Sequence, residues 1–257
     1  MFINNFDPVA FQIFSIEIRW YSLAYIFGIV FGWIYCKKKL IRDPKILDLF
    51  DDLIAYIIFG IIIGGRLGYV LFYNFNYFLE NFLEIFMIWN GGMSFHGGII
   101  GVIIATIIFS NKHKINSLIF LDLISLTAPI GIFFGRIANF INSELYGRET
   151  DVAWSVKFLL VDNISRHPSQ LYEAIFEGLI LFFLLSYLAK TEVFKKPGLI
   201  SAFFLIMYSF CRFILEFFRA PDYQIGYLAY HLTLGQIISI IFFFLGMLLY
   251  LVKRNED

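Results

Sequence analysis

Seven continuous apolar stretches run through the chain, at about Ile18–Tyr35, Leu53–Phe72, Met93–Phe109, Leu118–Ile137, Leu171–Leu188, Leu199–Phe218 and Leu232–Val252. At about 1.5 Å of rise per residue, a helix over any of them comes close to the ~30 Å of a bilayer's hydrocarbon core. The runs do not alternate with the period of two that an outer-membrane barrel requires. Hydrophobic residues make up 60% of the chain and charged ones only 16%, with a mean hydropathy of +0.76. The expected fold class is therefore all-α, a polytopic membrane protein with seven transmembrane helices in one domain, 1–257. The first run is expected to target the protein itself, because no basic segment precedes an apolar core as in a cleavable signal peptide. Cys36 and Cys211 lie in separate runs, which indicates packing residues and no disulfide framework.

The placement of charge predicts orientation. Lys37, Lys38, Lys39, Arg42 and Lys45 follow the first run, and Lys112 and Lys114 follow the third. Lys190, Lys195 and Lys196 follow the fifth, while Lys253 and Arg254 follow the seventh. The positive-inside rule puts these alternate segments in the cytoplasm, the N-terminus outside and the C-terminus inside. On the outer side, residues 74–89 carry Glu80 and Glu84 among Phe, Leu, Ile and Trp, a pattern expected of a helix lying in the interface. Residues 147–167 form the one long outer loop. Glycines four apart (Gly60, Gly64 and Gly68; Gly97 and Gly101; Gly131 and Gly135) read as close-packing positions.

Polar side chains inside the runs sort to one depth. Arg66, Arg136 and Arg212 each fall in the outer part of a run that leads outward. From Leu53 to Arg66 is about 20 Å of helix. An arginine set in hydrocarbon costs roughly 2.5–3.5 kcal/mol on insertion scales, so such residues are functional candidates. Arg212, Glu216 and Arg219 follow i, i+4, i+7, which predicts an ion-paired face. Three arginines around one cavity would repel one another unless an anion joins them. A lipid phosphodiester is the anion found at that depth, and guanidinium is the better phosphate fork.

Three motifs gather the remaining polar groups. Residues 135–148, Gly-Arg-Ile-Ala-Asn-Phe-Ile-Asn-Ser-Glu-Leu-Tyr-Gly-Arg, hold Arg136, Asn139 and Glu144; Asn142 and Arg148 are assigned to capping and solvating the helix end. Residues 89–98 surround His96 with four glycines, which lets backbone or substrate approach and leaves N–H groups at a helix start. Residues 166–173, Arg-His-Pro-Ser-Gln-Leu-Tyr-Glu, suit either a helix start, with Pro168 at its first position, or a site built on His167 and Glu173. No two histidines have metal-ligand spacing, so neither a metal nor another cofactor is expected. Nothing points to a nucleic-acid partner.

Taken with Phe6-Asp7-Pro8, Arg19-Trp20-Tyr21, the Gly64–Val70 run and Arg212–Asp222, these motifs resemble the bacterial prolipoprotein diacylglyceryl transferases, in the family's order and over essentially the whole chain. Ser22, Ala138 and Ser143 stand where the family usually has glycine, and the 147–167 loop is short. The resemblance implies transfer of the diacylglyceryl group of phosphatidylglycerol to the lipobox cysteine of a preprolipoprotein. It implies a thioether product, release of glycerol 1-phosphate, and a site at the periplasmic leaflet of the bacterial inner membrane. That chemistry needs the thiol deprotonated and the departing phosphate stabilised. Accordingly Arg136 and Arg212 are expected on the phosphate, His96 or alternatively Glu144 as the base, and Asn139 and Tyr21 orienting the lipid. Glu216 would hold Arg212, with Arg66 and Arg219 shaping the field. A transporter or lipid scramblase is the alternative, but it predicts two related halves and a polar path across both leaflets, and neither is evident. A lipid hydrolase using water is a further rival.

Overall fold

The computed structural model describes residues 2–221, 226–228 and 231–255; Asp222, which ends the last motif, lies outside them. The chain forms two compact units, Lys37–Leu121 on the one hand and Met1–Cys36 with Asp122–Asp257 on the other. Helices dominate both. Among the described residues, Ser117–Ile141, Ser169–Leu188 and Leu234–Arg254 are long and apolar enough to cross a membrane, and Leu199–Leu215 is a shorter apolar helix.

In the Lys37–Leu121 unit, helix α2 (Pro44–Phe72) starts well before the expected Leu53. Asp43 caps it by accepting the Lys45 N–H at 2.9 Å, and Pro44 suits the first turn, so the polar residues before the apolar run are helical too. Residues 74–89, expected as one interfacial helix, are broken into the short helix α3 (Phe75–Glu80) and 3-10 turns at Phe82–Phe86 and Ile88–Asn90. The break falls at Asn81, whose φ of −122° and ψ of 56° are not helical. The segment leaves Leu83 74% and Trp89 76% exposed. Helix α4 (Phe95–His113) then packs on α2 through glycines. A Cβ on Gly64 would sit 2.4 Å from the Gly97 carbonyl oxygen, so these positions admit nothing larger.

The other unit begins with strands that no apolar run announces. Strands β2 (Val9–Ile13) and β3 (Ile16–Arg19) form an antiparallel hairpin, so the first helix, α1 (Trp20–Tyr35), starts later than the expected Ile18. Strand β1 (Phe2–Asn4) pairs in parallel with β4 (Val156–Phe158), which pairs antiparallel with β5 (Ser165–Arg166). The all-α expectation is thus corrected to a mainly helical fold with two small sheets. Residues 147–167 contribute Val156 and Phe158 to a buried cluster with Phe140, against which Tyr146 and Leu171 pack. Asn4 is fully buried and donates to the Phe140 carbonyl at 2.6 Å, which ties the chain's start to the end of α5 (Ser117–Ile141).

Helix α6 (Ser169–Leu188) contains a π-helical stretch, Ala174–Ile180. Gly178 lies against Phe133 of α5, where an added Cβ would come within 2.8 Å. Helix α7 (Leu199–Leu215) has no cap of its own sequence. Instead Asp122 of α5 accepts the Gly198 N–H at 2.7 Å, the Ser201 N–H at 2.8 Å and the Ser201 hydroxyl at 2.7 Å. A carboxylate on the exposed donors of a helix start also suits the helix dipole. Helix α8 (Leu234–Arg254) carries a complete capping box between Thr233 and Gln236.

Candidate active site

Arg136 near the end of α5 and Arg212 near the end of α7 converge on carboxylates of α6. Arg136 Nε meets Glu173 at 2.9 Å, and Arg212 Nη1 donates to the other oxygen of the same carboxylate. Glu177, one helical repeat further, lies 3.6 Å from Arg136 and 3.8 Å from Arg212. The expected i, i+4 pair forms as well, with Arg212 Nη2 at 2.6 Å from Glu216. Glu216 is further fixed by the Thr233 hydroxyl at 2.9 Å and by Gly235, where a Cβ would lie about 3.0 Å from its carboxylate. Each guanidinium offers five donors in a planar fork. Among the described residues, two carboxylates meet Arg136 and three meet Arg212. The arginines therefore do not depend on an external anion to be held together, as charge counting in sequence had suggested. The carboxylates that neutralise them are built in.

The third residue of the expected face departs from it. Helix α7 ends at Leu215, and Arg219 forms a backbone bridge to Gly147 instead of a further helical turn. Its side chain is buried and close enough to influence Glu173 and Glu177 electrostatically. Arg148 does more than solvate a helix end: its Nε donates to the Arg219 carbonyl at 2.9 Å. Gly147 is pressed between the backbones of His167 and Phe218, where a Cβ would be 2.2 Å from one carbonyl oxygen and 2.8 Å from the other.

After α5 the chain turns through two residues with positive φ, Ser143 at 58° and Leu145 at 54°. That conformation favours glycine, which accounts for the glycine expected at position 143. The turn presents Glu144 to solvent, where its carboxylate accepts Asn139 Nδ2 at 3.1 Å and Asn142 Nδ2 at 3.3 Å. Asn142 thus holds Glu144 as well as closing the end of α5, where its N–H donates to the Ala138 carbonyl at 2.9 Å. Gln170 and Ser169, at the start of α6, bind the Glu144 and Leu145 carbonyls at 2.6 and 3.0 Å. Tyr21 packs edge-on against Tyr25 at 5.1 Å between centroids, and Tyr25 lies within electrostatic reach of Arg136.

Arg66, in the other unit, is placed quite differently. It is 5% exposed, and among the described residues its guanidinium donates to main-chain carbonyls: Glu84, Ile85 at 2.9 Å, Met87 at 3.3 Å, Gly91, and Gly92 at 3.2 Å. The Phe78 ring covers it at 5.1 Å. Gly91 and Gly92 adopt φ of 80° and 78°, and Ser94 caps α4 by accepting the Gly97 N–H at 3.2 Å. His96 stands partly buried in the first turn of that helix. His167 binds the Tyr172 hydroxyl through Nδ1 at 3.1 Å and packs on Phe218, and Pro168 precedes the helical residues of α6. Pro168 thus stands one residue ahead of the first helical position expected for it, and Glu173 carries the ion pairs with Arg136 and Arg212.

Glu177, Tyr25 and Tyr208 were not singled out by sequence reading. A signal existed for Glu177, an ionisable residue four positions after Glu173 inside an apolar run, the same kind of mark that singles out Arg66. Among the described residues, no group of three His, Cys, Asp or Glu side chains is placed to hold a metal ion.

Residues 8–252 match the family described as Prolipoprotein diacylglyceryl transferase. The chain is 49% identical over 259 residues to the phosphatidylglycerol–prolipoprotein diacylglyceryl transferase of Rickettsia bellii (strain OSU 85-389), covering 100% of this chain and 98% of the relative. It is also 49% identical to the protein of that name from Rhodospirillum rubrum, with 97% and 93% covered. The one from Wolbachia pipientis subsp. Culex pipiens is 49% identical, with 98% and 96% covered. Similarity of this depth along nearly the full length shows that the chain belongs to the prolipoprotein diacylglyceryl transferase family.

Proposed function

We propose that this protein transfers the diacylglyceryl group of phosphatidylglycerol to the lipobox cysteine of preprolipoproteins, forming a thioether and releasing glycerol 1-phosphate. The observation that carries the reading is the 49% identity over essentially the full chain to enzymes of that name. In the same reading the chain is one multi-pass domain of the bacterial inner membrane. Seven helices cross it, with the N-terminus periplasmic, the C-terminus cytoplasmic and the reaction at the periplasmic leaflet. The distribution of lysine and arginine supports that orientation.

Chemically, sulfur displaces a phosphate monoester from a glycerol CH₂ carbon. Charge grows on the departing phosphate, so donors aimed at it lower the barrier more than they strengthen ground-state binding. Arg136 and Arg212 take this role, and their partial engagement by Glu173, Glu177 and Glu216 supports it by preorganising both forks. Asn139 and Tyr21 orient the lipid, while Arg219 adds to the field. His96 takes the thiol proton, with Glu144 as the alternative; Arg66 contributes by fixing the Gly91–Gly92 turn ahead of the helix that carries His96.

The test uses purified protein in mixed micelles with phosphatidylglycerol and a lipobox peptide, followed by mass spectrometry of the peptide. A diacylglyceryl mass gain is expected, and its absence under all conditions would sink the reading. His96→Gln is expected to abolish most turnover while leaving the fold intact. Full rate in that variant across neutral pH would remove His96 as the base.

A further inference from the structure

We propose that Glu177 takes up a proton when the anionic headgroup of phosphatidylglycerol binds, keeping the charge of the arginine cluster balanced. The inference rests on the reading above that Arg136 and Arg212 bind that phosphodiester. Its basis is geometric. Glu177 is fully buried, and neither carboxylate oxygen has a hydrogen bond among the described residues. Its guanidinium contacts, at 3.6 and 3.8 Å, are the longest in the cluster. Glu173 has Arg136 at 2.9 Å and a direct bond from Arg212, and Glu216 has Arg212 at 2.6 Å and Thr233 at 2.9 Å. Glu177 is the least compensated of the three.

Charge accounting makes this matter. The ion-paired set places Glu173, Glu177 and Glu216 against Arg136 and Arg212, with Arg219 within electrostatic reach. That set has no surplus of positive charge awaiting a phosphate. The groups facing Glu177 are Arg136 from α5, Tyr208, Cys211 and Arg212 from α7, Glu173 from its own helix, and Arg219 beyond α7. A phosphodiester that draws the two forks toward itself leaves the Glu177 carboxylate more weakly paired. A buried charge left without its partners is strongly disfavoured, and protonation removes it. The balance is simple: Glu177 carboxylate, one proton from water and one lipid anion give the carboxylic acid and the bound lipid. The step reverses when the anionic product leaves.

The experiment measures phosphatidylglycerol binding to the full chain in detergent micelles, without peptide acceptor so that no turnover intervenes. Calorimetry in buffers of different ionisation enthalpy counts the protons, and dissociation constants are followed from about pH 6 to pH 9. Wild-type protein is expected to take up close to one proton per lipid at the alkaline end. Its dissociation constant should rise about tenfold per pH unit above the pH at which the empty site ionises. Glu177→Gln, which carries its hydrogen permanently, should bind as tightly as wild type at pH 6 and show a flat profile to pH 9. Uncharged diacylglycerol should elicit no uptake in either protein. Infrared difference spectra should show a protonated carboxyl band appearing with lipid in the wild type; its absence overturns the proposal even if the variant does not fold. Uptake of no proton by wild type, or an unchanged slope in Glu177→Gln, also overturns it. Failure of wild-type protein to bind phosphatidylglycerol at all would instead strike at the functional reading.

Discussion

Arg66 and Arg212 carry the same sequence signal, an arginine set in the outer part of an apolar run, yet the structure puts them to opposite uses. Arg66 spends its donors on five main-chain carbonyls between Glu84 and Gly92. Those acceptors cannot leave or change charge, so the guanidinium serves as a fastening. Arg212 faces Glu173, Glu177 and Glu216, side chains that can rotate or yield to an incoming anion. A buried arginine is therefore read by its acceptors. Carbonyls mark architecture, and carboxylates mark a site whose charge can be rearranged.

The sharpest way to break this contrast is to make one substitution at both places. Arg212→Lys keeps the charge but loses the planar fork, and turnover is expected to fall about 100- to 1,000-fold, measured as peptide mass gain per folded molecule. Arg66→Lys should lower stability by roughly 2–4 kcal/mol, since several buried carbonyls lose a donor, while turnover per folded molecule stays within a few-fold. Denaturation midpoints alongside the activity assay read both. An Arg66→Lys enzyme that folds normally but does not turn over would erase the distinction.

A smaller effect tests backbone strain without touching charge. Ser143→Gly should stabilise the turn after α5 by about 0.5–1 kcal/mol, because a positive φ is relaxed for glycine. A higher thermal midpoint with unchanged turnover is expected; an activity change would mean the serine side chain takes part. The smallest effect concerns His167 at the rim of the same loop, whose partial burial holds its pKa below the ordinary histidine value. The fold thus prefers the neutral ring, and the unfolded chain binds more protons in that window. The stability it contributes is present above about pH 6.5 and is lost as pH falls through the lowered folded pKa. A slight fall in thermal midpoint on acidification, absent in His167→Asn, checks the sign.

Helices were legible because an apolar run of about 20 residues has few other destinations. The strands were not: β1 and β4 are three residues each, and Phe2 pairs with Val156 across most of the chain. Short segments joined by distant pairing leave no periodic mark. In the site, Arg136, Arg212 and Glu216 stood out as charges out of place, and the spacing of the last two foretold their ion pair. Arg66 reads the same way in sequence because main-chain acceptors bear no residue identity. Glu177 went unnoticed because its partners come from two other helices, one of them packed on α6 where Gly178 meets Phe133.

The capping of α7 by Asp122 has a mechanical consequence. Helix α5 holds α7 at Gly198 and Ser201 through Asp122, and some 20 Å further along both helices are tied again through Glu173. Two rods pinned at both ends resist sliding and twisting against each other. On the proposed reading, a headgroup bound by Arg136 and Arg212 meets a frame of fixed span, and what gives way is the side chains strung across it.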